Sequence, residues 1–322
     1  MRDPILYVWA SFPVVQVAAL VVNIALPLMA LLVANKVNEV RWLKAFVAVL
    51  IGIGVLYVAT RLLGLPTYVL LDNGTRGLFS MWLGVMICSL ALFHSRLSRM
   101  QRVPLYLLLA GVVYINFAKN LAWVSGWLPL GMACGIVLLR RSKALFGGAL
   151  LLLIVFAVVR MDFIVEAYEA EMAGGSDERA GLWERNLAHV LNHPLFGMGP
   201  AGYAIYNMTY HPEDARSTHN NYFDILAQTG VIGFAAFLLL FATFLLVGWR
   251  AMQRWRGSGD FKEAYAVAAF SGCVGALVGM MLGDWVLPFA YNQTISGFDN
   301  AVLTWIFLGG NIALYRIAGS EG

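Results

Sequence analysis

Nine long apolar runs constrain the fold of this chain more than any other feature of its sequence. They cover roughly residues 5–34, 43–63, 77–93, 103–118, 123–139, 144–160, 222–247, 264–282 and 296–315. A run of about 20 apolar residues matches the hydrocarbon thickness of a bilayer. Because lipid offers no hydrogen-bond partners, such runs must satisfy their own backbone and therefore form helices. We predict an all-α polytopic membrane protein with about nine transmembrane helices.

The composition agrees with this class of protein. The chain is 60% hydrophobic and 12% charged, with a mean hydropathy of +0.73. A soluble domain is typically about 45–50% apolar and about 25% charged. The net charge of +4 does not indicate nucleic-acid binding, since the basic residues lie in short clusters between apolar runs. Cys88, Cys134 and Cys273 fall inside predicted spans, which indicates buried core residues without a disulfide framework.

The distribution of basic residues predicts the orientation of the helices. Most of the Lys and Arg residues lie in alternate connections, at Lys36, Arg41, Lys44, Arg96, Arg99, Arg102, Arg140, Arg141, Lys143, Arg250, Arg254, Arg256, Lys262 and Arg316. Under the positive-inside rule these connections face the cytoplasm. The N-terminus then lies outside, and because no leader precedes it we expect further helices upstream.

Three regions follow from this orientation. Residues 1–160 hold helices 1–6, residues 161–221 form one large extracytoplasmic loop, and residues 222–322 hold helices 7–9. The loop carries half of the acidic residues and four of the five histidines, as expected for a segment in water. We expect a multi-pass protein of the bacterial cytoplasmic membrane.

The loop is predicted to carry a helix that lies on or near the membrane surface. Asp177 and Glu178 stand in its first turn, where the helix dipole favours acids. Apolar residues then recur at helical spacing until Pro194 ends the run. Arg179 and Trp183 lie four residues apart on one face of this helix. They form either a cation–π pair that packs the loop or a site where Arg179 binds a phosphate or pyrophosphate.

The glycine-rich turn after this helix has two candidate functions that we reject. Residues 193–202 contain the pattern G-x-G-x-x-G, but no strand precedes it, so a tight turn is favoured over a dinucleotide site. His189 and His193 are four residues apart and could share a metal. Pro194 follows directly and no carboxylate or cysteine completes the set, so we predict no metal site.

A polar cluster, residues 216–224, leads into the seventh apolar run. Ser217 or Thr218 could cap the helix, and His219 is a candidate general base. Asn220, Asp224 and Gln228 recur every four residues, and Tyr203, Tyr206, Tyr210 and Tyr222 lie nearby. The polar face is either a capped helix start with satisfied groups or a functional face towards a cavity. The tyrosines form either an interfacial aromatic belt or a surface that stacks on sugars.

Three motifs in this order resemble the O-antigen ligase and polymerase superfamily. They are Arg179-x-x-x-Trp183, His193-Pro-Leu-Phe-Gly-x-Gly and His219-Asn-Asn-Tyr-x-Asp-x-Leu-Ala-Gln-Thr-Gly230-Val-Ile-Gly233. The resemblance covers about residues 70–250. It implies a metal-independent, cofactor-free glycosyltransferase that moves a glycan from undecaprenyl pyrophosphate to an acceptor. The implied acceptor is a lipid A core, another lipid or a growing polysaccharide at the outer face of the membrane.

The resemblance also implies roles for particular residues. Arg179 contacts the donor pyrophosphate, His219 activates the acceptor hydroxyl, and the displacement inverts the anomeric carbon. Family members usually carry a Ser-Arg-Gly-like motif where this chain has Ala118-Lys119-Asn120. Lys119, Arg76 or Arg216 is then expected to supply the second cation. The further substrate contacts are expected to be Asn220, Asp224, Trp183 and Tyr222.

Several alternatives stay open at this point. Ligase, polymerase and protein-acceptor activities share these motifs. A transporter or flippase of lipid-linked sugars would need charged pairs near span centres, which are almost uncharged here. The absence of the Arg motif also fits an inactive structural relative.

Overall fold

The computed structural model describes residues 12–66, 74–162, 165, 177–210, 217–290 and 297–320. Within them, every regular element is a helix. The helices are α1 Phe12–Lys36, α2 Val40–Leu63, α3 Phe79–Phe93, α4 Arg99–Val113, α5 Val124–Arg141, α6 Lys143–Val159, α7 Asp177–Asn192, α8 Gly202–Tyr210, α9 Asn221–Arg254, α10 Phe261–Met280 and α11 Gly297–Ser320. A π-helix, Tyr114–Lys119, extends α4. Helices thus occupy the positions of all nine predicted runs.

Six helices in the described residues are long and apolar enough to cross a membrane by length and composition. They are Pro13–Lys36, Val40–Leu63, Arg99–Lys119, Asn221–Arg254, Phe261–Met280 and Gly297–Gly319. The apolar helices α3 and α6 are shorter. α3 is nevertheless central, because every residue from Phe79 to Ala91 is buried among its neighbours. The count of nine spans therefore stays a prediction, while the all-helical membrane fold is confirmed.

The core of the bundle forms where α3 and α10 pack against each other and against α5. Trp82 on α3 is fully buried and donates from Nε1 to Oγ1 of Thr304 on α11 at 2.9 Å. Gly275 on α10 allows close approach, since a Cβ there would lie 2.9 Å from the carbonyl oxygen of Pro129. Small residues and interhelical hydrogen bonds of this kind hold membrane helices together, because lipid provides no hydrophobic drive between them.

The short connections give the bundle two different ends. At one end, which we call the basic end, Arg316 donates to the carbonyl oxygen of Val37 at 3.0 Å and Ser95 N donates to that of Gly259 at 2.9 Å. The other end, the loop end, carries the N-termini of α3, α5, α9 and α11, and α7 and α8 join it through contacts with α9. The connections that carry most of the basic residues therefore meet at one end of the folded bundle, as the alternation in the sequence predicts. Which end faces the cytoplasm stays a prediction.

The predicted surface helix is present as α7. It packs against α9, with Leu182 and Val190 buried and Leu187 and Leu191 exposed. Both faces of the helix thus carry apolar side chains, one towards the bundle and one outward. Its position relative to the membrane surface stays a prediction.

Candidate active site

The helix that carries the candidate base is broken near its beginning. Gly230 within α9 has φ 64° and ψ −172°, a backbone conformation open essentially to glycine alone. A Cβ at this position would lie 2.3 Å from the carbonyl oxygen of Leu195. The break leaves the last carbonyl groups before Gly230 and the first N–H groups after it without helical partners.

The turn after α7 supplies those partners. Met198 N and Gly199 N donate to the carbonyl oxygens of Ala227 and Gln228 at 2.8 and 2.9 Å, and Val231 N and Ile232 N donate to those of Pro194 and Leu195 at 2.8 and 3.3 Å. Gly197, with φ 67°, lies against the same backbone. The predicted tight turn is thus one half of a joint, which we define as residues 193–199 with residues 227–232. Two of the three sequence motifs meet in this joint.

His219 lies just before α9 in a left-handed conformation, with φ 50°. Its side chain is 24% exposed, and Nδ1 is 4.0 Å from Oδ1 of Asp284, whose side chain is 3% exposed. Asp284 follows α10, and its Oδ2 accepts a hydrogen bond from Phe289 N at 3.0 Å. The 4.0 Å distance is too long for a hydrogen bond, but at this distance a carboxylate and an imidazolium attract each other by about 1–4 kcal/mol. A left-handed histidine beside a buried carboxylate is a strained arrangement typical of functional sites.

Sequence reasoning missed Asp284. Its only signal was a carboxylate that ends an apolar run on the same predicted side as His219. The residue that brings it into place, Asn221, was also missed. Asn221 Oδ1 accepts from Val286 N at 3.0 Å, and its Nδ2 donates to the carbonyl oxygen of Leu287 at 2.7 Å. This clamp fixes the segment after α10 against the start of α9.

Asp224 is buried in the first turn of α9, five residues after His219. Its Oδ1 accepts from Tyr203 Oη at 2.5 Å and from Thr218 Oγ1 at 2.6 Å. Burial raises the pKa of the Tyr203 phenol well above its usual range, and the carboxylates of Asp224 and Asp284 raise it further, so Tyr203 remains a donor. These contacts are those of a structural carboxylate that holds the residue before His219. A direct contact between Asp224 and substrate stays a prediction.

The rest of the predicted polar face is also engaged by the protein. Gln228 Oε1 accepts from Ala201 N at 2.7 Å. Asn220 caps α9, because its Oδ1 accepts from Tyr222 N at 3.0 Å, so the prediction that Ser217 or Thr218 caps this helix is wrong. The cap shifts because the left-handed His219 separates these residues from the helix. Tyr222 Oη donates to the carbonyl oxygen of Leu277 at 2.8 Å.

Trp183 on α7 supports the same loop. Its Nε1 donates to the carbonyl oxygen of Thr218 at 3.0 Å, and its ring stacks on Phe223 with centroids 5.5 Å apart. Trp183 therefore holds the backbone beside His219. The backbone of Arg179 lies in the first turn of α7, but its side chain and the whole of Arg216 lie outside the described residues. The pyrophosphate contact of Arg179 and its cation–π alternative both stay predictions.

The two remaining cations occupy different positions at the loop end. Lys119 Nζ donates to the carbonyl oxygen of Arg61 at 2.9 Å and so satisfies the end of α2. Arg76 is exposed and precedes Gly77, which lies against the indole of Trp285. Since Trp285 follows Asp284, the fold brings the backbone of Arg76 close to the His219–Asp284 pair. Lys119 is tied to α2 instead.

The tyrosines predicted around His219 are dispersed. Tyr203 is buried, whereas Tyr206 and Tyr210 are exposed and contact each other on α8 with tilted rings. His189 Nε2 lies 3.1 Å from Asn207 Oδ1, and its ring meets Tyr206 edge to face. In the part of the chain that the structure describes, no group of three or more His, Cys, Asp or Glu side chains could hold a metal ion.

The model of the O-antigen ligase family matches residues 62–238, more than half of the chain. The chain belongs to the O-antigen ligase family. The resemblance seen in the motifs is confirmed, and with it a membrane protein of lipopolysaccharide biosynthesis. The match to the O-antigen ligase family includes α7, the joint and His219, whereas Asp284 lies beyond it. No curated protein matches the chain.

Proposed function

We propose that this member of the O-antigen ligase family is a glycosyltransferase that uses undecaprenyl pyrophosphate-linked glycan as its donor. The acceptor is a hydroxyl group of a lipid A core, another lipid or a growing polysaccharide at the outer face of the cytoplasmic membrane. The observation that carries the proposal is the partly exposed His219 held 4.0 Å from buried Asp284. Family membership supplies the reaction class, and this pair supplies a positioned base.

The reaction is a direct displacement at the anomeric carbon of the donor sugar. His219 takes the acceptor proton at Nε2, because Nδ1 faces Asp284. The acceptor oxygen bonds to the anomeric carbon as the bond from that carbon to the pyrophosphate oxygen breaks. Undecaprenyl pyrophosphate leaves with the bonding electron pair, and the configuration inverts. Asp284 stabilises the imidazolium that forms on His219.

The leaving pyrophosphate needs cations, and we assign Arg179 and Arg76 to this role. A guanidinium donates two parallel hydrogen bonds to phosphate oxygens, which a lysine ammonium cannot do. The exposed Arg76 makes no described ion pair, and its neighbour Gly77 lies against Trp285, the residue after Asp284. Lys119 receives the lesser role because its ammonium is bonded to the carbonyl oxygen of Arg61.

A transporter or flippase is less well supported. Among the described residues, the buried charged side chains are Asp224, Glu263 and Asp284. The first two stand in the first turn of a helix and the third lies just beyond a helix end. Transport mechanisms favour charged groups near the centres of spans. The charges here instead gather at helix ends.

Transfer from a purified lipid-linked glycan, in detergent with EDTA, tests the proposal. The wild type is compared with His219→Ala and with His94→Ala, which removes a histidine at the basic end, after α3. We expect product with the wild type and the control and none with His219→Ala. Near-normal transfer by His219→Ala would exclude His219 as the general base. No transfer by the wild type would favour the alternative that this chain is an inactive relative. The size distribution of the product separates ligase from polymerase.

A further inference from the structure

Two tryptophans meet beside the His219–Asp284 pair. Trp285 follows Asp284 directly, and Trp123 directly precedes α5. Their ring centroids are 6.0 Å apart and their planes make an angle of 83°, an edge-to-face contact. Both residues are half-buried, so part of each indole is accessible from outside the bundle.

Each indole rests on a glycine. A Cβ on Gly77 would lie 2.9 Å from Cε3 of Trp285, and a Cβ on Gly126 would lie 2.4 Å from Cε3 of Trp123. Any side chain at either glycine would displace the ring. At these glycines the backbone, without a side chain, lies against each ring and fixes the position of both indoles.

The indole N–H of Trp285 does not reach the surface. It is buried, has no acceptor among the described residues, and lies beside Gly283, where a Cβ would stand 2.4 Å from Nε1. Trp127, on the same end of α5, donates its own N–H to the carbonyl oxygen of Leu121 at 2.8 Å. The accessible part of the Trp285 ring is therefore apolar. A sugar complements such a surface, because its C–H face stacks on an indole.

The position of Trp285 indicates which sugar. In a displacement at the anomeric carbon, the acceptor hydroxyl and the leaving pyrophosphate stand on opposite sides of the donor sugar. Trp285 lies against Gly77, the neighbour of Arg76, and directly follows Asp284, which faces His219. A sugar on this indole would therefore be close to both the proposed base and the segment that carries the proposed cation.

We propose that Trp285 and Trp123 form the platform on which the first, pyrophosphate-linked sugar of the donor stacks. The inference rests on the proposed function, since it assumes a pyrophosphate-linked donor. In this proposal the sugar stacks on tryptophans and not on the tyrosines that the sequence suggested. Tyr206 and Tyr210 contact each other on α8, and Tyr206 also contacts His189 on α7. Neither tyrosine has a described contact with the two tryptophans.

The test is native mass spectrometry of the purified protein in detergent. The protein is mixed with equal amounts of undecaprenyl pyrophosphate and undecaprenyl pyrophosphoryl-N-acetylglucosamine, and the ratio of the two bound forms is measured. We expect the wild type to prefer the sugar-bearing lipid by about 2- to 10-fold, the contribution of one aromatic stacking contact. Trp285→Ala should abolish this preference while undecaprenyl pyrophosphate still binds. The control Tyr210→Ala should keep it.

Trp285→Phe keeps an aromatic ring on Gly77, so it serves if the alanine variant does not fold, and it should reduce the preference. An unchanged ratio in both variants, or no preference in the wild type, would overturn the platform and leave the proposed function standing. Equal loss of both lipids in Trp285→Ala would show a structural role and would also overturn it. A wild type that binds neither lipid would overturn the proposed function and the platform together.

Discussion

Gly230→Ala should open the joint between the turn after α7 and the break in α9. The backbone conformation of Gly230 costs a residue with a Cβ about 1–3 kcal/mol. The added methyl would also stand 2.3 Å from the Leu195 carbonyl oxygen, so the turn must move away. Moving it breaks up to four backbone hydrogen bonds, each worth about 0.5–1.5 kcal/mol. The total, about 3–9 kcal/mol, is a large share of the stability of an ordinary domain.

The assay is thermal unfolding in detergent combined with glycan transfer. We expect the melting temperature to fall by about 4–13 °C, and transfer to fall with it because the joint positions the start of α9. Gly147→Ala is the matched control, since a Cβ there meets nothing within 4 Å on a helix. It should stabilise slightly, by about 0.5–1 kcal/mol. A Gly230→Ala protein with the melting temperature and activity of this control would refute the reasoning.

Asp284→Asn should lower kcat by about 5- to 1000-fold and leave donor binding unchanged. Two unit charges 4.0 Å apart attract by about 1 kcal/mol in water and by about 4 kcal/mol at a protein surface. An unchanged kcat would exclude a role for Asp284 at His219. Arg76→Ala should weaken undecaprenyl pyrophosphate binding by about 10-fold or more, whereas Lys119→Ala should leave it nearly unchanged. If a titration shows the larger loss of affinity in Lys119→Ala, the roles of the two residues are exchanged. Asn221→Ala should lower the free energy of unfolding by about 2–3 kcal/mol and remove most of the transfer activity. Wild-type stability of this variant in calorimetry would show that the clamp is dispensable.

The candidate site shows where sequence reasoning stops. Local pattern identified His219 as the candidate base, because a histidine at the start of an apolar helix stands out from its surroundings. The same pattern could not decide whether Asp224 faces substrate or protein. That depended on Tyr203, whose hydroxyl reaches Asp224 only after α8 packs beside α9. The capping residue was misassigned for a similar reason, since the left-handed turn at His219 is not visible in the residue types.

The sequence by itself determined the helices, because an apolar run in lipid can satisfy its backbone in no other way. It also determined the family, since the motifs and their order are local properties of the chain. Only the tertiary structure decided that Asp284 faces His219 and that Trp285 meets Trp123. These pairs lie far apart along the chain and come together through the packing of α3, α5, α9 and α10. Packing depends on many weak contacts at once, and no single stretch of sequence contains them.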